Sequence, residues 1–429
     1  MSFPAVARRC GWALAVLMPL SAAPLSAVIP AAEGAVSSAA VRPLEPNATQ
    51  SSPAIALAQP RTVEKFGLDD LSPGFLGIYR KVMEIEEPIR TYAESYRVDL
   101  ILARAVCMYE SGGNANLTSE AGAHGYFQVM PRTERLLGVD TNIEAGIKYL
   151  SQMIARFERE DYALAAYNGG PTAVGRRRPM RLESLQYVLG VGQFRTLLKL
   201  YEPTIRRHAG QLRLERVNEG DSWWSLAQRL GSSVLQLRLH NPYLSHRGLR
   251  AGDLVAYPVA PRPDLFSVAG TSLEYRSRIG DNYFNLAFAF EVELDKLRQV
   301  NDLWHLQTLP VGMVVRVPLA WEGEHTDHLV APGESLPQIA QAVHTSAWRL
   351  IRDNSLWDQQ VASGTLLRVR QDPLEPRYAR HRVRAGDTLT AIASRYGTSI
   401  RDIQDANRMG RRTTIRIGER LLVPDHRGR

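Results

Sequence analysis

The 429-residue sequence predicts an α+β chain of several domains, in which an α-rich segment precedes four small strand–helix–helix–strand units. Three observations predict it. Apolar residues recur at three- and four-residue steps between about residues 74 and 208, and a glycine–acid motif then repeats four times. Composition is ordinary, with 45% hydrophobic and 22% charged residues, which excludes wholesale disorder and a polytopic membrane protein.

At the N-terminus, Arg8-Arg9, the apolar run from Gly11 to Leu20 and small-residue sites near Ala23 and Ala27 read as a secretory signal peptide over 1–27. Pro19 and Pro24 interrupt the run, whereas a spanning helix needs about 20 apolar residues. A retained anchor is the other reading; after cleavage no transmembrane span is expected. Cys10 follows two arginines instead of a small apolar box, so it is not a lipoprotein cysteine. It leaves with the signal, and Cys107 remains as a buried hydrophobe with no disulfide partner. The same cleavage removes Arg8 and Arg9 and lowers the net charge from +8 to +6. That surplus suits an anionic partner without choosing among nucleic acid, membrane surface and wall polymer. Residues 28–73, Ala/Ser/Pro-rich at first, read as a linker.

In the helical segment, Ile89, Tyr92, Ala93 and Tyr96 mark one face of a helix that can begin at Pro88. Asp99 caps the next, whose residues Ile101, Leu102, Ala105 and Val106 lead to Glu110 before Gly112-Gly113 stops it. Thr141 to Glu144 has capping-box spacing ahead of Ile143, Ile147, Leu150, Ile154 and Phe157. Asp161 caps a short helix through Tyr167, which Gly169-Gly170-Pro171 ends.

The repeat aligns on Gly220-Asp221, Gly280-Asp281, Gly333-Glu334 and Gly386-Asp387. Asn241, Asn301, Asn354 and Asn407 each follow their glycine by 21 residues. Leu226-Ala227, Leu286-Ala287, Ile339-Ala340 and Ile392-Ala393 fall at the sixth and seventh places. The glycine opens a tight turn, the neighbouring polar residue caps the first helix, and the apolar pair packs beneath the sheet. Units this small are expected to be compact and independent of one another. The pattern resembles the LysM module, and residues 383–393 come nearest its consensus. The units span 213–259, 273–319, 326–371 and 380–425, the first three divergent. The resemblance implies binding of N-acetylglucosamine-containing glycans such as peptidoglycan, in a groove between the first turn and the last helix–strand loop. In the fourth unit those loops hold Gly386, Asp387, Thr388 and Asn407. Trp223-Trp224 and Tyr283-Phe284 replace Leu389-Thr390; the first aromatic of each pair fits a core place, and the second is the candidate sugar face.

Three further motifs lie in the helical segment: Tyr109-Glu110-Ser111, Gly125-Tyr126-Phe127-Gln128 through Pro131, and Ala166-Tyr167-Asn168-Gly169-Gly170. With Gly122, Ala123, Gly125 and Gln128 placed 12 to 18 residues after Glu110, they resemble the lysozyme-like lytic murein transglycosylases, including the D type that carries LysM modules behind this domain. Gly113, Ala115, Leu117 and Tyr126-Phe127 depart from the family pattern, which bears on cleft shape more than on chemistry.

The resemblance implies a lysozyme-like catalytic domain over 74–208 with Glu110 as its single acid. Ordinary glycoside hydrolysis uses two carboxylates. Here Glu110 protonates the oxygen between N-acetylmuramic acid and N-acetylglucosamine, then takes the proton from the muramyl C6 hydroxyl as that oxygen closes a 1,6-anhydro ring. Such an acid needs a raised pKa, and Met108, Tyr109 and Phe127 are candidates for the apolar surroundings. By the same resemblance Ser111, Tyr126, Phe127, Gln128, Tyr167 and Asn168 contact substrate. A hydrolytic muramidase and an inactive wall-binding scaffold remain as alternatives. Metal-ligand spacing and phosphate loops are absent, so no cofactor or metal is expected. Arg176-Arg177-Arg178 reads as a solvated basic loop, and nucleic acid is not an expected partner. The expected location is the periplasm or cell envelope, on peptidoglycan.

Overall fold

Ser72 and Pro73 start the first long helix: the serine hydroxyl accepts from the Phe75 amide at 3.2 Å, and proline suits the first helical position. The computed structural model describes residues 67–425, apart from 120, 173, 175–179, 261–264, 270–271, 304–308, 320–322, 371–376, 397, 408 and 411. The expected signal peptide, most of the linker, Glu120 and Arg176-Arg177-Arg178 lie outside the described residues.

The end of the expected linker is part of the fold. Leu68–Asp70 form a 3-10 turn, and Leu71 and Ser72 are buried. Leu71 bridges Ile279, and the Ser72 hydroxyl accepts from the Phe75 amide. Helices α1 (Pro73–Met83), α2 (Glu86–Ser95), α3 (Leu100–Ser111), α4 (Pro131–Leu137), α5 (Asn142–Phe157), α6 (Glu160–Gly169) and α7 (Leu182–Ala209) follow.

Asp99 caps α3 by accepting from the Leu102 amide at 2.7 Å, and Gly112 ends it with φ at 59°. Thr141 caps α5 in the same way. Helix α6 starts one residue before the expected cap: Arg159 holds the extended cap position, and Asp161 sits in the first turn with its carboxylate on Arg159. Nine of the twelve residues of α3 are buried, so this helix is the centre of the segment. Arg104 is among them. Glu86 and Glu202 neutralise it, Arg206 joins Glu86 at 2.8 Å, and Tyr79 donates to Glu202 at 2.9 Å. A buried cation stays charged only with such partners, and the cluster ties α1, α2, α3 and α7 together.

The second half is four β-α-α-β units. Strand β1 (Arg213–Arg216) precedes α8 (Trp223–Leu230), α9 (Val234–His240), α10 (Pro242–Arg247) and β2 (Leu254–Tyr257). The second unit has β3 (Phe266–Ala269), β4 (Ser272–Arg276), α11 (Tyr283–Phe290), α12 (Leu294–Asn301) and β5 (Val314–Pro318). In the third, β6 (His325–Leu329), α13 (Leu336–Ala342), α14 (Ala347–Asp353) and β7 (Leu366–Arg370) follow. The fourth is β8 (Arg377–Arg382), α15 (Leu389–Tyr396), α16 (Ile400–Ala406) and β9 (Arg420–Asp425). First and last strands pair antiparallel in each; β3 adds a third strand beside β4.

The repeated residues have one job each. Gly220, Gly280, Gly333 and Gly386 adopt φ between 76° and 91°, where a side chain is strained. The acid after each glycine folds back onto the turn, as Asp387 does in accepting from the Arg384 amide at 2.8 Å, so the helix cap falls to the next residue. Each repeat asparagine clips the last strand to the second helix. Asn407, for example, donates to the Ile403 and Leu422 carbonyls at 2.7 and 2.6 Å and accepts from the Leu422 amide at 2.8 Å. The apolar pairs are all buried.

The units are not all independent, contrary to the sequence expectation. Units one, two and three share one hydrophobic core, whereas the fourth has its own around Val383, Ile392, Ile403 and Val423. Arg238 of the first unit donates to the Ala289 and Phe288 carbonyls of the second and lies 4.6 Å from the Trp348 ring centroid of the third. A unit of about 45 residues buries little surface alone, and the first three gain more by sharing a core, whereas the fourth relies on its own.

Candidate active site

Glu110 occupies the last turn of α3, where its carboxyl is 6% exposed. Helix α7 crosses α3 closely there because Gly190 has no side chain; a Cβ on it would lie 2.0 Å from Cε2 of Tyr109. That approach brings the Tyr187 hydroxyl to donate to Glu110 Oε1 at 2.7 Å. The Tyr187 ring meets Tyr109 edge-on at 5.2 Å and stacks over Tyr167 at 6.5 Å, and Tyr149 lies 5.3 Å from Tyr167. Tyr187, Tyr109 and Tyr167 thus lie around the carboxyl, with Tyr149 beyond Tyr167.

Burial pushes the Glu110 pKa up to about 8, and the Tyr187 hydrogen bond opposes it only in part. Among the described residues neither a neighbouring cation nor a second carboxylate contributes. Burial also raises the pKa values of Tyr109 and Tyr167, so the rings around the acid are neutral hydrogen-bonding groups at physiological pH.

The loop bearing Tyr126, Phe127 and Gln128 is clamped by Asn142, whose Oδ1 accepts from the Phe127 amide at 2.9 Å while Nδ2 donates to the His124 carbonyl at 2.9 Å. Phe127 is fully buried, seated on Gly146 of α5. Its carbonyl accepts from the Tyr167 hydroxyl at 2.8 Å, which ties the second motif to the third. Gln128 has φ at 48° and donates its amide to the Leu117 and Gly125 carbonyls at 3.1 and 2.9 Å. Ser111 is also buried; its hydroxyl donates to the Cys107 carbonyl and accepts from the Gly113 amide.

The sequence-predicted residues therefore divide. Glu110 and Tyr167 gather around one carboxyl, with Asn168 following on α6 and Tyr126 half-buried on the clamped loop. Ser111, Phe127 and Gln128 have inward-directed structural contacts. In the fourth unit Gly386 and Thr388 are exposed, while Asp387 and Asn407 are bound to their own backbone. Trp223 and Tyr283 fill the core; Trp224 and Phe284 are half-buried against it. Sequence reading missed Tyr187, which lies 77 residues from its partner in a helix without a motif. It also missed Tyr243, which donates to the Tyr109 carbonyl from the first unit. No helix among the described residues is long and apolar enough to cross a membrane.

Comparison with known proteins gives the same partition. The profile described as Transglycosylase SLT domain matches residues 87–183, and that of the LysM domain matches 216–255, 275–318, 328–370 and 381–424. A transglycosylase of Enterobacteria phage PRD1 is 37% identical over 90 residues, covering 20% of this chain and 34% of that protein. A probable autolysin, SsaALP, of Staphylococcus aureus is 33% identical over 109 residues, covering 23% and 41%. The chain thus spans roughly a third to two fifths of these curated relatives. Among solved structures, lytic transglycosylase Slt of Pseudomonas aeruginosa matches with 22% identity and a TM-score of 0.20, covering 28% of this chain and 22% of that one.

Proposed function

We propose, for a chain built of a transglycosylase SLT domain followed by four LysM domains, that it cleaves peptidoglycan outside the cytoplasm without using water. The bond is the one between N-acetylmuramic acid and N-acetylglucosamine, and the product ends in 1,6-anhydro-N-acetylmuramic acid. One observation carries the reading: a buried carboxyl whose pKa of about 8 keeps it protonated at neutral pH, with no second carboxylate acting on it among the described residues.

Protonated Glu110 gives its proton to the bridging oxygen as the C1–oxygen bond breaks. The carboxylate so formed takes the proton of the muramyl C6 hydroxyl, whose oxygen bonds to C1 and closes the ring. One proton leaves Glu110 and one returns, so the acid is regenerated and no water is consumed. The Tyr187 hydroxyl stabilises the carboxylate between the two transfers, when the negative charge exists in poorly solvated surroundings. Tyr167 and Asn168 line the cleft beside it. LysM domains whose turns stay open hold the enzyme to glycan strands, which makes the wall both substrate and anchor.

Digestion of purified sacculi followed by mass spectrometry of the muropeptides tests this. Anhydro ends, one water lighter than reducing ends and lost in Glu110→Gln, are the expected result. Reducing ends instead establish a hydrolytic muramidase, and undiminished digestion by Glu110→Gln removes the assignment of the acid.

A further inference from the structure

An α-helix leaves its last carbonyls without intrahelical partners, and at the end of α3 those carbonyls flank Glu110. Gly112 and Asn114 satisfy three of them locally: the Gly112 amide donates to Met108, and Asn114 Nδ2 donates to Ser111 and Gly112. The carbonyl of Tyr109, immediately before the acid, accepts from the Tyr243 hydroxyl, which belongs to the first LysM domain. The Tyr243 ring lies against Gly112, where a Cβ would meet it at 2.5 Å. A second strut runs through buried Lys81, whose ammonium donates to Asn114 Oδ1 at 2.9 Å and to Asn241 Oδ1, the repeat asparagine of the first LysM domain, at 3.3 Å. Backbone also meets backbone: a Cβ on Gly77 of α1 would lie 1.9 Å from the His240 carbonyl oxygen.

This docking uses up part of each groove. In the first LysM domain the segment after the second helix is α10, and Pro242, Tyr243, Leu244, Ser245 and Arg247 are buried. The second loses its other wall, the glycine–acid turn. Gly280 abuts Phe75, Ile279 bridges Leu71, and Asp281 is 2% exposed. In the fourth, Gly386 and Thr388 stay exposed and nothing lies within 4 Å of a Cβ on Gly386.

We propose that the first two LysM domains have become the buttress of the catalytic helix rather than glycan grips, with Tyr243 as a positioning residue for Glu110, and that retention on the wall falls to the third and fourth, whose turns stay exposed. The proposal rests on Glu110 being the acid. Loss of the Tyr243 hydroxyl strips the Tyr109 carbonyl of its partner, loosens the helix end and lets water reach the carboxyl.

Tyr243→Phe in the full-length chain is the test, read on soluble glycan strands and on sacculi. Expected are a kcat about five- to ten-fold lower, the scale of one buried hydrogen bond, an unchanged KM, and an alkaline limb of the pH profile moved to lower pH. Lys81→Met, which cuts the second strut, gives the same signature and serves if the first variant melts. For retention, a Glu110→Gln chain ending at residue 371, which keeps the third LysM domain and loses the fourth, binds sacculi at least about two-fold more weakly, and Glu110→Gln with Tyr243→Phe binds as tightly as Glu110→Gln alone. The truncation spares the other cores, because the fourth LysM domain has its own. The proposal is overturned by wild-type kcat and pH profile in Tyr243→Phe, by undiminished sacculus binding after the truncation, or by equal binding losses in the two. A wild-type chain releasing only reducing ends sinks the non-hydrolytic reading instead, and the variant-to-wild-type ratios still decide this one.

Discussion

The first and fourth LysM domains share a turn glycine at positive φ, a folded-back acid, a buried Leu/Ile–Ala pair and an asparagine clip, yet their surroundings are opposite. Asn241 is fully buried and also receives the Lys81 ammonium; Asn407 does the same backbone work on a partly exposed surface. The repeated motif specifies how a domain holds itself together. What it is used for depends on which face has been covered, and that face lies outside the motif.

The largest effect that sharpens this contrast is in Glu110→Gln. Strand cleavage should fall by about 10³-fold or more while sacculus binding is retained, on the usual scale for removing an acid–base group. Equal loss of both functions merges the two regions the structure separates.

Next in size is the asparagine pair. Asn241→Ala leaves a buried amide and a carbonyl without partners and takes from Lys81 one of its two acceptors, which costs about 3 kcal/mol and lowers the main unfolding transition together with activity. Asn407→Ala costs about 1–2 kcal/mol and melts the fourth LysM domain separately, leaving turnover on soluble strands intact. Calorimetry of the two variants checks both, and identical thermograms break the comparison.

A smaller effect concerns stability against pH. The pKa of Glu110 is raised by folding, so the native state binds a proton that the unfolded chain has released above about pH 4.5. Stability from this group is complete below that pH and declines as pH rises toward 8. Glu110→Gln escapes the decline, so its melting temperature should exceed that of wild type by a margin that widens from pH 5 to pH 8. Activity should fall over the alkaline end of the same window, as the acid loses the proton it must donate. A constant margin across that range refutes the raised pKa.

The smallest shift is in Tyr187→Phe. Its hydroxyl favours the carboxylate, so removing it raises the pKa further and moves the alkaline limb up by a fraction of a unit. That is the opposite direction to Tyr243→Phe, and the pair distinguishes a group acting on the carboxyl from one acting on its helix.

Much of this was legible in the sequence wherever cause and effect are close along the chain. The Asp99 cap, the Gly112 stop, the Thr141 cap and the four turn glycines follow from side-chain chemistry within a few residues. The motif that singles out Glu110 was legible in the sequence, and burial raises the pKa of that residue to about 8. Ser111, Gln128 and Asn407 read from their motifs as ligand contacts, and in the structure each side chain bonds nearby backbone, which the motif does not disclose. Tyr187 and Tyr243 left no periodic trace, since each matters only through one contact formed by tertiary packing. Domain sharing was likewise invisible: the same amphipathic pattern serves a lone domain and a docked one.

The tie between Tyr109 and Tyr243 spans 134 residues, and it sets an order of events. A nascent or prematurely ended chain that stops short of Tyr243 has made its acid but not the piece that steadies it. On the proposed roles of Glu110 and Tyr243, completion of the first LysM domain is what arms the catalytic helix, and a chain cut short before it carries the acid without its brace.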